Sequence, residues 1–425
     1  MPPSGSSALA DELSSKAALR VYDTLQRRLL PIPLSETKSG RPELKLYVCG
    51  VTPYDSGHLG HAFTFCAFDV LVRWLEACGV VVRYVQNVTD VDDPLFARAR
   101  RDGVDWSQLA QRETESYIGQ MEALGWRPPD VMPKVSDEIP GIVAAVGSLL
   151  ENGYAYLSDA CYFEVERYPS YGALSHRSRR SMIRKLRDEG LLGEVGPRRK
   201  RNPLDFPLWR SSEPGEPAWA SAAGPGRPGW HIECSAMSTR YLGPQIDVHG
   251  GGRDLIFSHH ESERAQSESL TGTVPFARAW LHTGMVRFDG RKMSKSLGNL
   301  VVVEDTLERV SAAAVRLYLA SHRYQRDWSF RWEGLADAAR LAGRLAELIG
   351  PNPGGGGGGG AGPQGEESAL AAGAQRQLVD DFAAALDNDL DTPAAVRVLR
   401  RAVRRHDVPA ASWMAGILCG TARLS

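Results

Sequence analysis

Residues 44–88 carry the pattern that most restricts the fold. An apolar run at 44–49 (LKLYVC) reaches Gly50. After a turn rich in glycine and histidine, residues 61–78 (HAFTFCAFDVLVRWLEAC) have helical spacing and stop at Gly79. Residues 80–88 (VVVRYVQNV) are rich in β-branched side chains. Strand, turn, helix and strand in so short a span make a βαβ unit, which implies a parallel sheet.

Further along, residues 142–151 read as a helix with Gly153 as its stop. Residues 246–257 (IDVHGGGRDLIF) read as strand, Gly-rich turn, then strand or helix start, and 259–270 as a polar helix. Residues 312–322 and 332–348 are helical in pattern. Seven consecutive glycines at 354–360 mark a flexible linker within 351–365. The expected organisation is a polar lead-in (1–20), a catalytic domain (21–350) with an insertion at about 95–225, the linker, and a short helical appendage (366–425).

Composition narrows the functional classes. The chain of 425 residues has 50 Lys+Arg against 51 Asp+Glu. That excludes a globally basic coat, so any nucleic-acid contact must come from local patches. Two exist: residues 177–201 hold ten basic against three acidic side chains, and Arg397, Arg400, Arg401, Arg404 and Arg405 form a second run. No apolar run reaches membrane-spanning length, and the first residues lack a basic-then-apolar leader, so a cytoplasmic chain with no membrane partner is expected. Six cysteines are too few for a disulfide scaffold, and in a reducing compartment Cys49 and Cys234, in polar Gly-rich contexts, point to metal or catalysis.

Three constellations carry chemistry. His58-Leu-Gly-His61 lies between the first strand and the first helix, where a helix N-terminus favours anions and imidazoles can donate to phosphate oxygens. Alone, the pair also fits capping or solvation. Lys292-Met-Ser-Lys295-Ser, followed by Leu-Gly-Asn, suits a clamp on polyphosphate, although a lone charge run also fits a solvated loop. Cys49, Cys234, His259 and Glu263 are acceptable Zn²⁺ ligands, and the i, i+4 spacing puts His259 and Glu263 on one helical face. Two core thiols and a surface helix explain the same residues as well.

The motifs HLGH (58–61) and KMSKS (292–296), in this order, resemble the HIGH and KMSKS signatures of class I aminoacyl-tRNA synthetases. The segments YVQNVTDVDD (84–93), NPLDFPLW (202–209), GEPAW (215–219), GRPGWHIECSAM (226–237), DVHGGGRDLIFSHHE (247–261) and DNDLDTPAA (387–395) resemble cysteinyl-tRNA synthetases and the related mycothiol-pathway cysteine:glucosaminyl-inositol ligases. The resemblance implies a doubly wound, Rossmann-like domain with an insertion and a short helical C-terminal part. It implies activation of L-cysteine by ATP to cysteinyl-adenylate. Cys49, Cys234, His259 and Glu263 match the family's zinc ligands. Cys49, Gly50, Thr52 and Trp230 match the cysteine site. His58, His61, Lys292 and Lys295 match the catalytic groups. Thr52, His58, His61, His249, Gly250, Gly251, Asp254 and Lys295 match the ATP site, with Mg²⁺ accompanying the nucleotide. A thiolate is a strong ligand for zinc and a hydroxyl a poor one, so the ion would select cysteine over serine without an editing domain.

Two acceptors compete: the 3′ end of tRNA(Cys), or the amine of a small amino sugar. Glu263, the basic patches, KRNPLDFPLW and CSAMS favour tRNA. The short stretch after DLDTP, together with TPYDSGHLGHA, DVDDPLFARARRDGVDW and HTGM, favours the amino sugar. The expectation leans to tRNA.

Overall fold

The structure is a computed structural model that describes residues 19–54, 57–193, 196, 199–288, 290–293, 299–350 and 366–423. The expected lead-in (except its last two residues), the glycine linker and Lys295 lie outside the described residues.

Four parallel strands form the body of the five-stranded central sheet: β1 (Pro42–Val51), β2 (Val81–Val88), β3 (Ile246–Gly252) and β4 (Ala277–Thr283), with Ser35–Glu36 antiparallel to the start of β1. Their order is β4-β3-β1-β2. The chain builds outward from β1 to β2, then returns to add β3 and β4 on the other side. The topological switch point therefore falls between β1 and β3, where crevices for ligands open at the carboxyl ends of strands.

Alternation along β1 divides the interior. Leu44, Leu46 and Val48 face one core; Tyr47 and Cys49 face another. The first core is covered by α1 (Leu59–Ala77), α8 (Ala312–Ala320) and α9 (Trp332–Ile349). The second is covered by α4 (Val135–Glu151), α6 (Trp230–Leu242) and α7 (Glu261–Thr271). Helices on both faces make the sheet doubly wound, and Cys49 turns toward α6 and α7.

Between β2 and α6 lie α2 (Asp93–Asp102), α3 (Trp106–Ala123), α5 (Arg179–Asp188) and a small antiparallel sheet of Ala155–Leu157, Cys161–Phe163, Phe206–Arg210 and Arg227–Pro228. The insertion is less uniform than its expected span of 95–225. Tyr117 and Met121 of α3 join the first core, and Val131 and Lys134 bridge to β2 as a further parallel edge. Its last strand, at Arg227–Pro228, runs past residue 225.

The segment after the glycine run is not an appendage. Its helices α10 (Glu366–Asp387), α11 (Thr392–Arg404) and α12 (Val408–Cys419) bury Phe382, Leu399 and Leu418 in the same core as Trp74 and Leu317. Amphipathic helices of this length are marginal alone and gain stability by docking an apolar face. Trp74 Nε1 donates to Asp387 Oδ1 at 2.9 Å across that junction. Among the described residues, no helix is long and apolar enough to cross a membrane.

Candidate active site and metal centre

Cys49 is positioned by an irregularity in β1. The register with β2 shifts between Val48 and Val51, and the Gly50 N–H donates to Asn87 Oδ1 at 2.9 Å. A Cβ on Gly50 would lie 1.7 Å from the Asn87 carbonyl oxygen, so only glycine permits this approach. From here the Cys49 thiol donates to Glu263 Oε1 at 3.4 Å.

Glu263 is fully buried near the start of α7. His259 Nε2 stands 3.0 Å from its Oε1, and His249 Nε2 stands 2.9 Å from its Oε2. Two overlapping donor sets result: Cys49, Cys234, His259 and Glu263, and Cys49, His249, His260 and Glu263. In each, the ligating atoms lie within 4.8 Å of one another. The four ligands expected from the sequence thus converge at the switch point.

Electrostatics show how tightly these groups are coupled. Burial pushes the Cys49 thiol well above its ordinary range, and neighbouring Cys234 and Glu263 add to this. Burial acts the same way on Cys234, but hydrogen bonds with Cys49 and His259 override it and bring the thiol down to about 6. Burial opposes charge on His259, yet Glu263 and Cys234 raise it to about 10. Burial also opposes charge on Glu263, and the histidines hold it well below the usual carboxylate range. Soft and borderline donors gather where water is excluded, a setting suited to a cation.

A second layer orients the imidazoles. His231 and His259 share a contact between their Nδ1 atoms at 2.9 Å, and the Trp230 ring stacks on His259 with centroids 4.2 Å apart. Trp230 opens α6 directly after Gly229, which lets the chain pass the Pro207 carbonyl. His260 Nδ1 lies 2.8 Å from His282 Nε2, and His282 Nδ1 lies 2.7 Å from Thr24 Oγ1. His260 and His282 did not emerge from sequence reasoning; the HHE run at 259–261 was the available signal for His260.

The HLGH segment meets the chain just beyond the KMSKS motif. Leu59 N–H donates to the Val301 carbonyl at 2.9 Å, Val303 N–H to Gly57 at 3.1 Å, and His58 bridges to Val302. Upstream of that contact, Val286–Phe288 pairs with Arg291–Lys292 in a hairpin, and Met293 is buried in the first core. His58 Nδ1 accepts the Gly60 N–H as the N-cap of α1, so the capping role weighed from sequence is real. The His58 and His61 rings stack at 3.9 Å, and His61 Nδ1 is buried with no partner among the described residues. Burial first, and the His58 charge second, lower His61 to about 3.

His249 is fully buried on Glu263 and stacks on Trp280, beside the donor cluster. Gly250 lies in β3 against α1, where a Cβ would stand 2.2 Å from Phe68 Cζ. At Gly251 a Cβ would press on Leu255 and His260 at 3.0 Å. These glycines serve packing of the sheet, while Asp254 is exposed in the turn beyond. Thr52 Oγ1 donates to Asp92 Oδ2 at 3.3 Å, and burial raises Asp92 to about 6.

Of the basic patches, residues 177–201 include four ion-paired side chains: Arg179 with Glu166, Lys185 with Glu189, Arg199 with Asp159 and Arg201 with Glu164. On α11, Arg397, Arg400, Arg401 and Arg404 line an open groove with Asp381. Arg401 pairs with Asp381, whereas partial burial and the charges of Arg344, Arg404 and Arg340 lower the Arg400 guanidinium.

With this geometry in place, comparisons with known proteins are informative. The family model for the catalytic domain of class I (C) tRNA synthetases matches residues 36–340. A cysteine--tRNA ligase of Dehalococcoides mccartyi is 42% identical over 383 residues, covering 90% of this chain and 79% of that protein. An L-cysteine:1D-myo-inositol 2-amino-2-deoxy-alpha-D-glucopyranoside ligase of Thermobispora bispora is 44% identical over 383 residues, covering 89% and 93%. Among solved structures, a Mycobacterium tuberculosis methionyl-tRNA synthetase in complex with methionyl-adenylate superposes with a TM-score of 0.64 at 16% identity, covering 89% of this chain and 92% of that one. At that identity the likeness establishes the fold.

Proposed function

Because the chain belongs to the class I (C) tRNA synthetase family, we propose that it activates L-cysteine with ATP and passes the cysteinyl group to tRNA(Cys). The observation that carries this reading is the convergence of Cys49, Cys234, His259 and Glu263 at the switch point of the sheet.

The donor set fits zinc: two thiols, an imidazole and a carboxylate, mutually within 4.8 Å and buried. Cys49, Cys234, His259 and Glu263 would hold the ion, whose chemistry is to offer a position that a thiolate occupies and a hydroxyl does not. Trp230, stacked on His259, forms a wall beside that position.

The first step joins a cysteine carboxylate oxygen to the α-phosphorus of ATP and breaks the bond to pyrophosphate. The N-terminus of α1, with His58 and His61, faces developing negative charge with fixed donors. Lys292 and Lys295 neutralise the β- and γ-phosphates, and Mg²⁺ accompanies the nucleotide. In the second step, a terminal ribose hydroxyl attacks the adenylate carbonyl and AMP leaves. The arginine-lined groove on α11 supports a phosphate-rich acceptor.

A second reading has support from one observation: the Thermobispora ligase is as similar as the tRNA ligases. There the acceptor is the amine of an amino sugar, and the product an amide. The test is cysteine-dependent ATP–pyrophosphate exchange, followed by labelled cysteine offered with total tRNA or with glucosaminyl-inositol. Label in acid-precipitable RNA supports the first reading. Label only in the small amide replaces it with the second. No exchange overturns both.

A further inference from the structure

The turn between α10 and α11, the DNDLDT segment at 387–392, has no part in the chemistry above, yet it is tied to both sides of the catalytic crevice. Asp389 is largely buried in a left-handed conformation, φ 60°, which aspartate tolerates better than most residues. Its Oδ1 accepts from the Tyr22 N–H at 2.8 Å, from Tyr324 Oη at 3.0 Å and from Gln325 Nε2 at 3.1 Å, and its own N–H donates to the Arg20 carbonyl at 2.9 Å.

Those partners lead to the site along two routes. On one, the strand containing Tyr22 continues to Asp23, whose carboxylate accepts the Trp280 N–H at 2.7 Å, and to Thr24, which contacts His282 beside the donor cluster. On the other, the Tyr324 carbonyl accepts the Gly284 N–H at 2.6 Å. Asp327, three residues on, accepts the Met285 N–H at 3.0 Å and pairs with Arg287 at 3.1 Å and Arg253 at 2.9 Å. Residues 284–287 enter the hairpin that carries Lys292, and Arg253 follows the glycine run of β3.

We propose that Asp389 is a positioning residue for amino-acid activation: through Tyr324 and the 324–327 segment it sets the placement of the hairpin leading into the KMSKS segment. The C-terminal helices then take part in the first half-reaction, before any acceptor is bound. The inference rests on the activation chemistry proposed above. Its physical basis is that charge-neutralising groups work only when held in place, and small displacements from a remote change are costly.

The experiment uses the full chain and two substitutions. Asp389→Ala removes all three side-chain bonds but strains the backbone, because alanine is disfavoured at positive φ. Tyr324→Phe removes the Tyr324 bond to Asp389 and one accepted from Gln325 Nε2 at 3.0 Å, at almost constant volume, and leaves the backbone alone. Asp389→Asn keeps the acceptor oxygen and tolerates the same φ, and serves as the conservative rescue. In variants that remain folded by circular dichroism, kcat for ATP–pyrophosphate exchange should fall roughly tenfold or more for Asp389→Ala and less for Tyr324→Phe, with cysteine KM and bound metal almost unchanged. Asp389→Asn should recover most of the rate. Amide exchange at residues 284–288 should accelerate in the alanine variant. Exchange kinetics equal to the unaltered chain in both variants would overturn the proposal, as would a parallel loss of metal, cysteine affinity and rate. If the unaltered chain shows no cysteine-dependent exchange, the functional reading itself fails and this inference falls with it.

Discussion

Arg316 and Asp69 form an ion pair that water does not reach, where α8 packs on α1. The Arg316 Nε also donates to the Leu418 carbonyl at 3.0 Å, so one guanidinium joins the nucleotide-binding half to the last helix of the chain. Removing Arg316 leaves Asp69 with Arg73 as its remaining partner, at 2.9 Å, and leaves the Leu418 carbonyl without its donor.

Arg316→Met should therefore destabilise the fold by roughly 1–3 kcal/mol. Denaturant unfolding measures this directly. A change under about 1 kcal/mol would mean that water already screens the pair, in line with exposed ion pairs.

Cys234→Ala takes one thiol from the donor cluster while the sheet that carries Cys49 stays intact. Bound zinc should fall well below one per chain, and cysteine-dependent exchange should be lost with little change in the far-ultraviolet circular dichroism. A variant with normal exchange would remove the basis for the metal assignment.

Gly50→Ala would set a methyl group 1.7 Å from the Asn87 carbonyl oxygen, which is backbone and cannot rotate away. The expected cost is about 1–3 kcal/mol, as for other overpacked sites. Because the displaced neighbour of residue 50 is Cys49, zinc affinity should weaken as well. Thermal unfolding and a zinc titration check the two effects separately.

His61 gives a pH dependence. Burial, then the His58 charge, lower its pKa from 6.5 to about 3. Between these values the unfolded chain binds a proton that the folded chain does not. Stability from this group is complete above pH 6.5 and is lost as pH falls toward 3. His61→Gln should show a shallower decline in melting temperature over that window. Identical slopes would place the imidazole in contact with solvent.

Much of the site was legible in the sequence because its chemistry is local. HLGH and KMSKS are short runs recognisable by their resemblance to family signatures, and His259 and Glu263 share a helical face by spacing alone. Trp230 was legible only through the family resemblance. Other features gave no local signal. The contact of His249 with Glu263 was hidden, because nothing in HGGG reveals which face of β3 the imidazole takes. The packing of Gly250 on Phe68 was hidden too, because Phe68 lies on another element. The helices after the glycine run read as an appendage, because a glycine run interrupts pattern without saying whether the next apolar face finds a partner.

The sequence by itself determined the β1–α1–β2 unit, the shared helical face of His259 and Glu263 and the order of the two signature motifs. Periodicity, turn residues and ligand chemistry act over a few neighbouring positions, so they can be read in one dimension. Only the tertiary structure decided that Cys49 meets a carboxylate 214 residues away, that His249 and His260 stand beside it, and that Asp389 joins the final helices to the catalytic crevice. Those relationships come from strand order, the bulge in β1 and burial on both faces of the sheet. They exist only when distant segments exclude water from a common interior.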